Sequence, residues 1–68
     1  MSRAKKLVVK RIYANWSGFL KCKKNSKKYI EAYFLGAWSA FDDDQAAMFI
    51  QLTTRKEKRV LMKYPIWM

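Results

Sequence analysis

The stretch from Phe19 to Phe34, FLKCKKNSKKYIEAYF, sets the tightest condition on the fold. Leu20 and Cys22 alternate with Phe19, Lys21 and Lys23, and further on Ile30, Ala32 and Phe34 alternate with Tyr29, Glu31 and Tyr33. A period of two is that of a half-buried strand. Asn25-Ser26 supplies a tight turn between the two runs. The pattern predicts a hairpin with one buried face and lysines beside aromatic rings on the other.

The flanking segments extend this reading. Leu7 to Tyr13 (LVVKRIY) is β-branched and aromatic, a strand by composition, with a bulge near Lys10-Arg11 turning Leu7, Val9 and Ile12 inward. Asn15-Trp16-Ser17-Gly18 reads as a turn, and Gly36 ends the sheet. Asp42 then has the features of a helix N-cap, with Gln45 as its capping-box partner and acids facing the positive end of the dipole. Ala46, Phe49, Ile50 and Thr53 form that helix's apolar stripe, with Leu52 at its border and Arg55, Lys56 and Lys58 in its last turn. Val60 to Tyr64 reads as a fourth strand stopped by Pro65. The expected fold class is α+β: an antiparallel three- to four-stranded sheet (β-β-β-α-β) with one helix packed on one face. Residues 1–68 make one domain, with 1–6 fraying and 66–68 forming an apolar tail.

Charge narrows the function. The net charge is +10, and it is segregated. Residues 1–28 hold ten bases and no acid, residues 29–54 four acids and no base, and residues 55–68 five bases with Glu57 alone opposing them. A one-sided field of this kind steers toward nucleic acid, an anionic membrane or an acidic protein. No apolar run is long enough to span a bilayer, the N-terminus lacks a signal-peptide h-region, and the single Cys22 excludes an internal disulfide. These features suggest a cytoplasmic protein. With no histidine there is no zinc-ligand set, and Asp42-Asp43-Asp44 cannot converge on one ion from successive helical positions. No catalytic constellation or phosphate loop is present, so neither an enzyme nor a cofactor is expected.

The outer face of the expected sheet gives the candidate site. Phosphates would be neutralised by Arg11, Lys21, Lys23, Lys24, Lys27 and Lys28, while Phe19, Tyr29 and Tyr33 stack on unpaired bases. The ordinary alternative is that strands favour aromatics and that edge lysines block aggregation. The eleven aromatic residues are many for so short a chain, and a homo-oligomer would cover the surplus. Ile66, Trp67 and Met68, together with Met48, form the expected contact surface with a partner or second subunit. Trp16 and Trp38 are expected to pack in the core.

A three-stranded meander followed by Gly36, Phe41-Asp42 and a helix with Ala46 and Phe49 resembles the sheet-type DNA-binding domain of the AP2 and integrase N-terminal family over Tyr13 to Phe49, a likeness carried by Trp16, Phe41, Ala46 and Phe49. That resemblance implies a three-stranded sheet reading the major groove. In genre, through its F-D-x-x-x-A helix start, the chain also resembles small basic phage accessory and counter-defence proteins, which implies a viral protein acting in the host cytoplasm on a nucleic acid or a host protein. The function expected is nucleic-acid binding, RNA or single strands before duplex DNA. The alternative is a non-enzymatic inhibitor that docks on a host protein or defence complex through its basic and aromatic surface.

Overall fold

Val9, Ile12, Tyr13, Trp16 and Leu20 recur at spacings of three and four, and this stripe governs the N-terminal third. In the computed structural model, which describes residues 2–22 and 24–67 (Trp67 by its backbone only), the stripe lies along helix α1, Arg3–Lys21. Helices α2 (Lys27–Ala40), α3 (Asp43–Leu52) and α4 (Arg55–Leu61) follow, then a 3₁₀ turn at Pro65–Trp67. No strand occurs among the described residues.

The α+β expectation is therefore overturned: none of the expected strands forms, and most of their residues are helical. Leu7–Tyr13 lies in α1, Phe19–Lys21 closes it, Tyr29–Leu35 lies inside α2, and Val60 to Tyr64 is the end of α4 with the turn after it. The Asn15–Gly18 turn is also α1, with Trp16 at the centre of the core. The sheet implied by the AP2 and integrase resemblance has no counterpart here. The physical reason is that propensity differences between β-branched and helix-forming residues are only a few tenths of a kcal/mol per position. Burying one large side chain contributes about 1.5–3 kcal/mol, so the burial of the stripe decides.

The core is aromatic. Trp16, Phe34 and Phe49, one from each of the first three helices, are completely buried with Val9. Ring centroids lie 5.7 Å apart for Trp16–Phe34, 5.5 Å for Trp16–Phe49 and 5.3 Å for Phe34–Phe49. Leu61 and Tyr64 close the cluster from the C-terminal side, with Phe34 and Tyr64 at 4.9 Å. Helix α1 packs on both α2 and α3. Of the expected inward set, Ile30 and Phe34 are buried and Leu20 half-buried, whereas Cys22 and Ala32 are exposed.

Local chemistry sets the helix ends. Ser2 and Ser26 cap α1 and α2 by accepting from the Lys5 and Tyr29 backbone N–H groups at 3.3 and 3.1 Å. The expected box at Asp42 and Gln45 is present, with reciprocal bonds of 2.8 and 3.1 Å. A second box, Thr54 with Glu57, starts α4. It ends the expected single helix at Leu52 and places Arg55, Lys56 and Lys58 in a separate one.

Candidate nucleic-acid interface

The three consecutive acids and the lysines around Lys21 to Lys28 lie toward different ends of α1, with Lys5, Lys6 and Lys10 on the acids' side. Asp42, Asp43 and Asp44 sit at the start of α3, beside the N-terminal half of α1. Lys5 donates to Asp42 Oδ2 at 2.6 Å, and the Gln45 amide reaches the Lys5 carbonyl at 3.5 Å. That hydrogen bond raises the Lys5 ammonium above its ordinary value and lowers the Asp42 carboxyl below its own. Among the described residues it is the one ion pair. Every other described lysine and arginine has no carboxylate within reach.

Roughly 24 Å further along α1 lies the basic end. Lys21 closes α1, Lys24 lies in the connection, and Lys27 and Lys28 open α2; all four are exposed. Helix α4 crosses this end, so that Lys21 and Lys56 line one groove with Tyr13 and Glu57, and Lys27 and Lys63 line another. The first turns of α1 and α2 hold no acid. Their positive dipole ends therefore face further positive charge, which disfavours the helix.

Of the two acids in this region, Glu31 is half-buried and Glu57 is withdrawn from solvent. Glu57, 9% exposed, accepts from the Tyr13 hydroxyl at 2.7 Å and the Thr54 backbone N–H at 2.9 Å. Burial pushes its carboxyl up, but the bonds from Thr54 and Tyr13, with a contribution from Ser17, outweigh this and hold it below the usual range. The bond to Glu57 raises the Tyr13 hydroxyl, and burial adds to the rise.

The expected site residues divide. Lys21, Lys24, Lys27 and Lys28 share the basic end, whereas Arg11 is exposed on α1 about 15 Å back along the axis. Lys23 lies outside the described residues. Phe19, Tyr29 and Tyr33 do come together, at the α1–α2 seam: Phe19 meets Tyr33 at 5.1 Å and Tyr29 at 5.8 Å, both edge-on. Asn15 donates to the Tyr33 hydroxyl at 3.2 Å. Phe19 and Tyr33 are half-buried by this packing, which leaves Tyr29, 54% exposed, as the ring with a free face.

Of the expected contact surface, Met48 and Ile66 are half-buried and pack against the core, Met68 lies outside the described residues, and so does the Trp67 side chain. Trp38 packs against the core as expected. Lys56, Lys63, Glu31 and Tyr64 belong to the basic end and its grooves without having been expected there. The signal for the two lysines is the third charge block, residues 55–68, which a helical reading folds back onto α1.

No helix among the described residues is long and apolar enough to cross a membrane, and no group of three or more potential metal ligands occurs among them. No known protein family, curated protein or solved structure matches the chain.

Proposed function

We propose that the chain binds nucleic acid through its basic end, with unpaired strands preferred. The observation that carries this is the charge of Lys21, Lys24, Lys27, Lys28, Lys56 and Lys63, gathered from α1, α2, α4 and the segments that follow α1 and α4 without an ion pair among the described residues, while Asp42, Asp43 and Asp44 lie at the other end, Glu57 is buried and Glu31 alone stands half-buried among them. Lysines in such an arrangement displace counterions from phosphates. The exposed ring of Tyr29, next to Lys28 in the chain, offers a stacking face that unpaired bases can use and a duplex cannot. The test is an electrophoretic shift with RNA, single-stranded DNA and duplex DNA over a salt series. RNA and single-stranded DNA should shift at low salt, with log affinity falling by about 0.7 per contacting lysine for each log unit of salt. A protein that shifts none of the three at low salt removes the reading.

A protein partner is the second reading, and a different surface supports it. Ile50, Leu61 and Met62 line an apolar groove of ≈ 370 Å³ between α3 and α4, with Lys58 at its edge. Met62 is 74% exposed, and methionine adapts its shape to a docking side chain. Met62→Asp should release any partner held there without changing nucleic-acid affinity.

A further inference from the structure

The groove between α2 and α4 differs from the other clefts in the groups that converge on it. Its walls are apolar: Leu20 from the end of α1, Ile30 from α2 and Val60 from α4. Lys27 and Lys63, far apart in the chain, both line it. So does Glu31, a carboxylate and therefore acceptor-only. Tyr64, 8% exposed, forms the remaining side. Its hydroxyl oxygen accepts from the Trp16 indole N–H at 3.3 Å, while its own proton has no acceptor among the described residues. Burial raises this hydroxyl, the bond from Trp16 opposes the rise and the charge of Glu31 adds to it; both residues line the same groove. The volume, ≈ 370 Å³, lies at the small end of ligand sites, which run from about 300 to 1,000 Å³.

Each group restricts the occupant. Two ammonium groups call for an anion. Apolar walls call for a flat or aliphatic body. A carboxylate and an O–H donor lining one groove call for a ligand edge presenting N–H donors next to a carbonyl. Among nucleobases guanine alone offers two adjacent N–H donors, N1–H and the N2 amine, with the O6 acceptor beside them. Adenine and cytosine present a ring acceptor next to their single amine, and uracil one N–H between two carbonyls.

We infer that this groove seats one unpaired guanine of a bound strand, Glu31 accepting from N1–H and N2–H, Tyr64 donating to O6, and Lys27 and Lys63 holding the adjoining phosphate. The inference rests on the nucleic-acid reading and adds a base preference to it. A duplex cannot supply this base, since its Watson–Crick edge is already paired.

The test compares two fluorescently labelled RNAs of about twelve nucleotides, within the ~4–16 nucleotide span of single-strand binders. One is all uridine and the other carries a single central guanosine. Wild-type protein should bind the guanosine strand about tenfold more tightly. Guanosine monophosphate should shift the methyl resonances of Leu20, Ile30 and Val60 in an NMR titration. Glu31→Gln, isosteric and partly exposed, should retain the helical circular dichroism and bring the two strands within about twofold. It should also strengthen oligouridine binding slightly, because a negative charge leaves the basic end. Equal binding of both strands by wild-type protein, with a steep salt slope, overturns the guanine site and leaves the nucleic-acid reading standing. Failure of both strands to bind at low salt removes the two readings together. Retained preference in Glu31→Gln, or methyl shifts from dodecyl phosphate at the concentration where guanosine monophosphate acts, also overturns the guanine assignment.

Discussion

Reversing charge at Lys27 and Lys28 separates a functional role for the basic end from a structural one, because the two outcomes have opposite signs. Both residues are exposed at the first two positions of α2, after the Ser26 cap, in a turn without an acid. A cation there opposes the dipole and an anion favours it, each by about 0.3–1 kcal/mol. Reversal at one position is thus worth about 0.6–2 kcal/mol, and exposure with salt screening favours the low end. Two positions give about 1.5 kcal/mol. Against this, each reversal turns a favourable lysine–Glu31 spacing of three or four into a like-charge one, which costs about 0.4–1 kcal/mol each, again at the low end for exposed charges. Lys27→Glu/Lys28→Glu should therefore raise stability by about 0.7 kcal/mol, or about 3–5 °C in Tm for a domain of this size. The lower net charge, +6 in place of +10, acts in the same direction.

Nucleic-acid binding should move the other way. Two phosphate contacts removed from a single strand lower the salt slope by about 1.4 and reduce affinity more than tenfold at moderate salt. The assays are a thermal melt by circular dichroism and a fluorescence titration on the same preparation. A rise in Tm with affinity and slope unchanged would show that the anion surface lies elsewhere. A fall in Tm would refute the dipole argument itself, and lost binding would then report only lost structure.

Three further outcomes follow from the packing. Trp16→Ala empties the centre of the core and should cost about 3–5 kcal/mol, close to the whole stability of a small domain; retained helical signal at 25 °C would show that the core is held otherwise. Gly18→Ala and Gly36→Ala should each add about 0.5–1 kcal/mol, because a Cβ at either position meets nothing within 4 Å and both glycines lie in helix interiors; a lower urea midpoint for either variant counts against this. Glu57 and Asp42 have carboxyls held below their usual values in the folded protein, so their contribution is complete above the unfolded values near 4 and is lost as pH falls through the lower folded ones. Stability should drop below about pH 4, and Glu57→Gln should flatten that drop in urea titrations between pH 3 and 7. An unchanged slope would refute the assignment.

What was legible in the sequence was local chemistry. The Asp42 and Gln45 box needs only two side chains at fixed spacing and one turn of backbone, and it forms as read. The same signature stands at Thr54-Arg55-Lys56-Glu57, where it divides what reads as one helix. Period was the ambiguous signal. Ile30 and Phe34 satisfy both alternation and helical i,i+4 spacing, and the position between them is Ala32, whose small side chain barely penalises either reading. Leu7, Val8 and Val9 are consecutive and carry no period; α1 buries Val9 and leaves Leu7 and Val8 exposed. The stripe from Val9 through Trp16 to Leu20 appears only in a window longer than a strand. The lysines of the candidate site were legible as charge, but their neighbours on α4 depend on how α4 crosses α1, which no local pattern states.

The charge of the basic end is not explained by folding. Two of the five acids have structural work in the fold: Asp42 caps α3 and ties it to Lys5, and Glu57 completes the Thr54 capping box of α4 and accepts from Tyr13. Among the described bases only Lys5 has a comparable role. Those in the first turns of α1 and α2 oppose the dipoles of their own helices, and those around Lys21 to Lys28 repel one another. The aromatic core of Trp16, Phe34 and Phe49 is what tolerates this: it stabilises the fold enough to carry several unfavourable charges at once. If that charge serves a polyanion, its removal should leave a more stable and less functional protein. A chain whose lysines merely kept it dispersed would show no such opposition, because solubility depends on net charge and not on which helix start carries it.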